Sequence, residues 1–405
     1  VSLRVGHLRR LTTKAGTLAL ALSPGALLAQ PDREISPEDS MDEIAAEIAA
    51  KQTEGGPYSI ELLDPLRALA VLQDENGNRI IGDALRERAI QVVRANYGLR
   101  SLEQAPLMEQ RIYNEEERGN FERAWSLEKD LLALARHNPN DLRTVEIYRG
   151  VAEKRMTLLE RYLGGSYQPQ IVLGCYYSPR QDPDYGSCNA GSRTTAARTI
   201  LAEAHRRYQD AINVLLRNGL HDGREIEALE QAIVLSSYEY SNYPAGRQSL
   251  RRSMAYTSLD TQAALPLLEH AIGIADWDLL FDYHPVAMKI YAESLEALAS
   301  EGVDAAVTET LFEPELPVML PSFLPNPLAL RGEPNGADYI DVAFEVSKYG
   351  RGRKIDVLET TAAVRKTDID ELTRRIVRGR FRPRLLDGEF ADTRAVVRYY
   401  LPASQ

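Results

Sequence analysis

The chain has 405 residues, a formal net charge of −11 and two cysteines, and 44% of its residues are hydrophobic. That length exceeds one comfortable core, so two or three domains are expected, and the apolar fraction excludes global disorder. The acidic balance argues against nucleic acid as the main partner, two cysteines cannot build a zinc ribbon or a disulfide scaffold, and no apolar run reaches the roughly 18 residues of a membrane-spanning helix.

Arg4, Arg9, Arg10 and Lys14 give a basic start, followed by the uncharged stretch Ala15–Ala29, which Pro24 and Gly25 interrupt. A basic flank, a short apolar core and a small-residue end form the layout of a secretory signal peptide. Residues 1–29 are therefore expected to be a signal peptide cut between Ala29 and Gln30, with an uncleaved anchor as the alternative. An exported chain meets an oxidising compartment, which makes Cys175 and Cys188 a disulfide pair. They flank a loop rich in Pro, Gly and Tyr, so the pair reads as a staple on that loop, with a redox switch as the alternative. Residues 30–57 are polar and Glu-rich and read as a flexible lead-in, helical only over Met41–Lys51.

Residues 58–312 read as helix after helix. Leu62, Leu63, Leu66, Leu69, Ala70 and Leu72 form one apolar stripe at helical spacing; Ala84, Leu85, Ala89, Ile90, Val92 and Val93 form the next. Further helices are expected over 107–118, 121–136, 142–163, 195–217, 224–240, 246–258, 261–275 and 286–298, with Gly, Asn, Asp and Pro as punctuation. In the junction Gly119–Asp141, an aromatic follows Gly119 by two residues, then Ala124, then a long helix ending near Pro139. Ala264 and Ala271 place two small side chains on one helix face, which lets helices approach closely. This pattern resembles the tetratricopeptide repeat, a stacked helix-turn-helix unit of about 34 residues. Arg111 departs from it by occupying a place where an apolar packing residue is expected.

Residues 313–337 hold Pro314, Pro317, Pro321, Pro325, Pro327 and Pro334 and read as a semi-rigid Pro-rich linker. From 338 to 405 the period changes to two. Tyr339–Lys348 and Arg353–Thr361 read as strands joined by a Gly-containing turn; Asp368 and Glu371 read as a capping box opening a helix to Val377; Thr393–Leu401 reads as a last strand. The segment Gly379–Glu389 followed by Thr393–Leu401, with Gly350, Phe381, Pro383 and Gly388 in place, resembles the C-terminal domain of the TonB family. The resemblance implies a periplasmic protein whose last strand pairs with a partner peptide by strand addition, in which backbone groups supply the affinity. The candidate partner-binding edge is Arg394, Val396, Val397, Arg398, Tyr399 and Tyr400.

Motifs for chemistry fail at specific positions. Asp74–Asn78 begins like a calcium loop, but Arg79 replaces the glycine of the sharp turn and Leu85 the twelfth-position glutamate. The six histidines lack metal spacing, and neither a nucleophile elbow nor a phosphate-binding loop occurs. No catalytic, metal or cofactor residue is named. Charge is uneven: residues 338–405 carry 14 Lys and Arg against 11 Asp and Glu, and the remainder carries 34 against 48. The expected fold is mostly α, a tetratricopeptide-like α-solenoid followed by a small C-terminal α+β domain. The expected function is a non-enzymatic, periplasmic scaffold of the bacterial cell envelope that binds protein or peptide partners, membrane proteins among them, without a cofactor. A TonB-type energy-transduction component held by an uncleaved amino-terminal anchor is the alternative, and a secreted enzyme is the third class.

Overall fold

Apolar residues at three- and four-residue spacing wind most of the chain into helices whose buried stripes meet pairwise. A computed structural model describes residues 37–165, 193–220, 223–260, 264–314, 316–328, 338–386 and 388–401. The signal-peptide reading of residues 1–29, its Ala29–Gln30 junction and the Cys175–Cys188 pair lie outside the described residues. The protein is mostly helical, with a small antiparallel sheet region near its carboxy terminus.

The helices are α1 (Pro37–Gly55), α2 (Leu63–Glu75), α3 (Arg79–Tyr97), α4 (Ala105–Glu117), α5 (Phe121–His137), α6 (Arg143–Leu163), α7 (Arg193–Arg217), α8 (Arg224–Glu239), α9 (Tyr243–Asp260), α10 (Ala264–Leu280), α11 (His284–Ser300) and α12 (Ala305–Phe312). Packing runs in consecutive pairs: α2 with α3, α4 with α5, α6 with α7, α8 with α9, α10 with α11. Residues 37–55, expected mainly as flexible lead-in, instead form α1. Ile48 is buried, and Met41 and Ile44 pack on the same core as α2 and α3, one apolar face amid a Glu-rich surface.

Equivalent side chains close successive pairs, each joining the end of a pair's second helix to the segment before its first. The Asn96 amide at the end of α3 donates to Tyr58 O (2.8 Å), and Asn138 at the end of α5 donates to Arg100 O (2.9 Å). Each bond reaches 38 residues back, and each amide also donates to its own last turn. The structural period is thus about 40 residues, longer than a 34-residue unit.

Between the helices run arginine–carboxylate pairs, each with at least one buried member. Arg86 of α3 meets Asp74 of α2 at 2.5 Å. Arg111 of α4, the residue that broke the apolar pattern, meets Asp83 (2.9 Å) and Glu87 of α3. Arg155 of α6 bridges Glu128 of α5 and Glu203 of α7. Arg252 and Arg247 of α9 reach Glu230 of α8 and Asp278 of α10, both at 2.6 Å. A charge inside a helical interface is tolerated only when paired and hydrogen-bonded, so these pairs fix which helices face each other.

In the carboxy-terminal region, β1 (Met319–Leu320) pairs antiparallel with β4 (Arg380–Phe381). The strands β2 (Tyr339–Val346), β3 (Gly352–Thr360) and β7 (Thr393–Tyr400) form an antiparallel sheet in the order β3-β2-β7. β5 (Arg384–Leu386) and β6 (Glu389–Ala391) form a hairpin. Helix α13 (Lys366–Arg378) covers one sheet face, with Leu372 and Ile376 against Ile340, Val342, Phe344 and Val397. It starts before Asp368, which is not the N-cap but the third helical residue; its Oδ2 accepts from the Arg365 backbone N–H at 3.0 Å. Glu371 pairs instead with Arg375. Acidic residues near a helix start can serve as either cap or third residue, and spacing alone does not separate the two.

The Pro-rich stretch is packed over its described part. Leu320 and Leu328 are buried, and β1 lies within it. Leu385 and Phe390 of the β5–β6 hairpin pack into one core with Ile272, Leu279, Tyr291 and Phe312 of the helices. At the joint, buried Asp276 of α10 accepts from Arg382 Nε (3.0 Å) and Nη2 (2.6 Å), Tyr291 Oη (2.6 Å) and Ser322 Oγ (2.6 Å). Asp282 takes Arg380 (2.7 Å) and Arg351 (3.0 Å). Gly350, at φ +72°, is held there because a Cβ would sit 2.2 Å from Phe381 O and 2.8 Å from Leu279 Cδ2.

Asp276→Ala leaves Arg382 and Tyr291 buried without their acceptor and should cost about 3–5 kcal/mol in urea denaturation. Arg143→Ala, which removes an exposed pair, should cost at most about 1 kcal/mol. An Asp276→Ala loss no larger than that of Arg143→Ala would show that the joint is held otherwise. His205 of α7 gives a pH test. Its Nε2 lies 2.8 Å from Ser236 Oγ of α8, and burial, with Arg252 nearby, pushes its pKa down from 6.5 to about 4. The unfolded chain therefore binds the proton first. This contribution to stability should be full above pH 6.5 and fall by on the order of 3 kcal/mol as pH drops to about 4. Urea midpoints of the wild type and His205→Gln across that window should show a shallower acid decline in the variant.

Candidate partner-binding edge

Position in the sheet decides what a strand can offer. β7 pairs with β2 along its whole length, from Val346↔Thr393 to Tyr339↔Tyr400. Its other side has no hydrogen-bonded strand among the described residues. Leu401 N–H donates to Asp338 O (2.8 Å), which sets the phase of the ladder. In an antiparallel pair, alternate residues turn their N–H and C=O toward the partner strand. Thr393, Ala395, Val397 and Tyr399 therefore bond toward β2, and Arg394, Val396, Arg398 and Tyr400 turn their backbone groups to the open side.

The side chains divide the same way. Ala395 and Val397 are buried beneath α13. Tyr399 also lies on that inner face, where Arg375 Nη1 donates to its hydroxyl at 3.1 Å. Arg394, Val396 and Arg398 are exposed, Val396 at 60%. Of the six residues assigned to the edge from sequence, Val397 and Tyr399 are thus corrected: they belong to the internal ladder and core.

The outer sheet face is a charge lattice. Arg398 grips Asp341 of β2 through Nε (2.8 Å) and Nη2 (2.7 Å) and lies 4.0 Å above the Tyr339 ring. The Arg398 hydrogen bonds hold the Asp341 carboxyl below its ordinary pKa. Glu345 takes Arg353 and Lys354, and Arg353 also reaches Asp392. Arg394 stands 3.9 Å from Asp356 of β3. Across β2–β7, Asp341 faces Arg398 and Glu345 faces Arg394, and across β2–β3 Glu345 faces Arg353, so opposite charges meet at these positions, whereas Asp341 faces Glu359 on β3. Val396 is the apolar gap in this lattice, opposite Ala343.

Sequence reasoning did not single out the opposite edge. β3 also ends the sheet, with Val357 and Leu358 exposed. A register shift between Asp341 and Val342 leaves Leu358 without a partner residue, since Asp341 faces Glu359 and Val342 faces Val357. Such a bulge twists an edge and discourages continuous pairing. β7 carries no register shift against β2. Among the described residues, no group of three or more His, Cys, Asp or Glu could hold a metal ion. Among them also, no helix is long and apolar enough to cross a membrane.

No protein-family model and no curated protein matches this chain. Among solved structures, BtubC (BKLC) from P. vanneervenii is similar over 66% of this chain and 93% of that chain, with 11% sequence identity and a TM-score of 0.35.

Proline substitution separates the two sets of β7 residues. Val396→Pro removes an outward N–H and should change stability by less than about 1 kcal/mol, as proline is tolerated on sheet edges. Val397→Pro deletes a ladder donor from a buried residue and should cost about 2 kcal/mol or more. Urea denaturation of both variants checks the phase; equal losses would overturn it.

Proposed function

We propose that the protein is an exported, non-enzymatic interaction scaffold of the bacterial cell envelope. In this reading a tetratricopeptide-like array carries a TonB-like carboxy-terminal module, and both surfaces bind polypeptides. The observation that carries the reading is the open side of β7, an even strand whose free backbone groups fall at Arg394, Val396, Arg398 and Tyr400. An extended partner segment adds there as a fourth strand, with backbone hydrogen bonds supplying affinity and alternate side chains supplying selectivity. Arg394 and Arg398 favour acidic side chains at facing positions, and Val396 favours an apolar one between them.

The attachment of the sheet region supports a scaffold over an energy-transduction component. A force-transmitting module needs a spacer, whereas here the Pro-rich stretch packs on the helices and Asp276 and Asp282 hold Arg382, Arg380 and Arg351. A partner on β7 is thereby presented at a set position relative to the helical array. Export and periplasmic location rest on the amino-terminal sequence pattern.

Photo-crosslinking in intact envelopes tests this. A photoreactive residue at Arg394 should capture a discrete partner, and one at Val377 on α13 should not. Adding Val396→Pro should reduce the Arg394 adduct at least tenfold while leaving the protein folded. An adduct that persists undiminished with Val396→Pro would refute pairing along β7.

A further inference from the structure

Between α4 and α6, the first helices of successive pairs, lies a cavity of about 170 Å³ over α5. Its floor is Ile112, Leu131, Ile147 and Val151, all buried. Gly150 of α6 stands in its wall, and a Cβ placed there would meet no atom within 4 Å. The packing of the helices therefore does not require this glycine, and in mid-helix it is a poorer choice than any residue with a side chain except proline. What its lack of a side chain does is keep the cavity open.

The polar lining is uneven. Glu128 is taken by Arg155, and Lys154 by Glu116 at 2.7 Å. Glu109 at the mouth has no hydrogen bond or ion pair among the described residues. Desolvation over the apolar floor, together with nearby Glu146, outweighs the opposing charge of Lys154 and pushes its carboxyl pKa upward. The mouth thus holds a carboxylate that forms no ion pair among the described residues, above an apolar floor, and the lining's own cation, Lys154, is engaged by Glu116. An acidic guest would be repelled by Glu109 and Glu146. A purely apolar guest would desolvate Glu109 further and give it nothing.

We propose that this cavity receives one lysine or arginine side chain of a bound polypeptide, with its methylenes on the Ile112–Leu131–Ile147–Val151 floor and its cationic head at Glu109. Long basic side chains partition in this way, stem on apolar surface and charge at the polar rim. The inference deepens the reading of the array as a polypeptide-binding surface and rests on it. It gives the partner a basic residue, complementary to the excess of acidic over basic residues outside 338–405.

The test uses the full chain with labelled isoleucine, leucine and valine methyls, and three small probes observed by NMR. Butylammonium is the lysine side chain alone; 1-butanol lacks its charge and pentanoate reverses it. Butylammonium should shift the methyls of Ile112, Leu131, Ile147 and Val151 in a saturable way. Butanol should bind at least fivefold more weakly, and pentanoate should leave these methyls unmoved. Glu109→Gln should weaken butylammonium at least fivefold. Gly150→Leu, which fills the cavity and favours the helix, should abolish the shifts with helical content retained by circular dichroism. Butanol binding as tightly as butylammonium, no shift at these methyls, or shifts that survive Gly150→Leu would each overturn the proposal. The probes do not involve β7, so failure here is distinct from failure of the Arg394 crosslink.

Discussion

Asp276 carries one negative charge into the interior and receives hydrogen bonds from three separated parts of the chain. Tyr291 reaches it from α11, Ser322 from the Pro-rich stretch and Arg382 from beyond β4, 106 residues away. A buried carboxylate with fewer partners would be costly, and a buried guanidinium without a carboxylate equally so. The two charges therefore hold each other in place, and with them the junction of helices and sheet. Burial alone would lower the Arg382 pKa, and Asp276 outweighs it and raises it. The second anchor works at the surface, where Arg380 and Arg351 outweigh the desolvation of Asp282 and keep its carboxyl below the ordinary range. Everything downstream, from the direction of β7 to the packing of the β5–β6 hairpin, depends on this junction.

The same device recurs through the helices. Arg86, Arg111, Arg155, Arg247 and Arg252 each leave one helix for a carboxylate on a neighbour. Such pairs add little net stability over apolar packing of the same volume, yet removing one member is expensive. Their consequence is selectivity of pairing: a helix slipped by one turn would leave several arginines buried without acceptors. In a stack of similar helices, apolar stripes alone would permit many such slips. The repeated Asn96 and Asn138 bonds add a second check at the turns, since each amide fits only one carbonyl of the preceding turn.

Partner recognition in this reading follows from what the packing leaves unused. On β7 the unused groups are backbone donors and acceptors on one side of a strand that is fully paired on the other. In the array it is the Glu109 carboxylate beside a cavity that Gly150 keeps open. Both select by charge, but with opposite sign: the strand favours acidic segments and the cavity a basic side chain. One partner could satisfy both only with an acidic extended stretch and a separate basic residue.

Local patterning determined a large share of this protein. Helical spacing in Leu62–Leu72 and Ala84–Val93 marked α2 and α3, and alternation in Tyr339–Lys348 and Thr393–Leu401 marked β2 and β7, because a side chain's face depends only on neighbours within a turn or two. Arg111 was legible as an anomaly but not as an ion pair, since Asp83 and Glu87 lie 28 and 24 residues earlier and on another helix. The candidate edge was legible as a strand, whereas the phase of its hydrogen bonds was not. Period-two alternation shows that Val396 and Val397 face opposite ways, but only pairing with β2 decides which of them bonds inward. The same holds for Asp276 with Arg382 and for the cavity beside Gly150: each depends on the relative placement of helices and strands, which residue spacing along one segment does not contain.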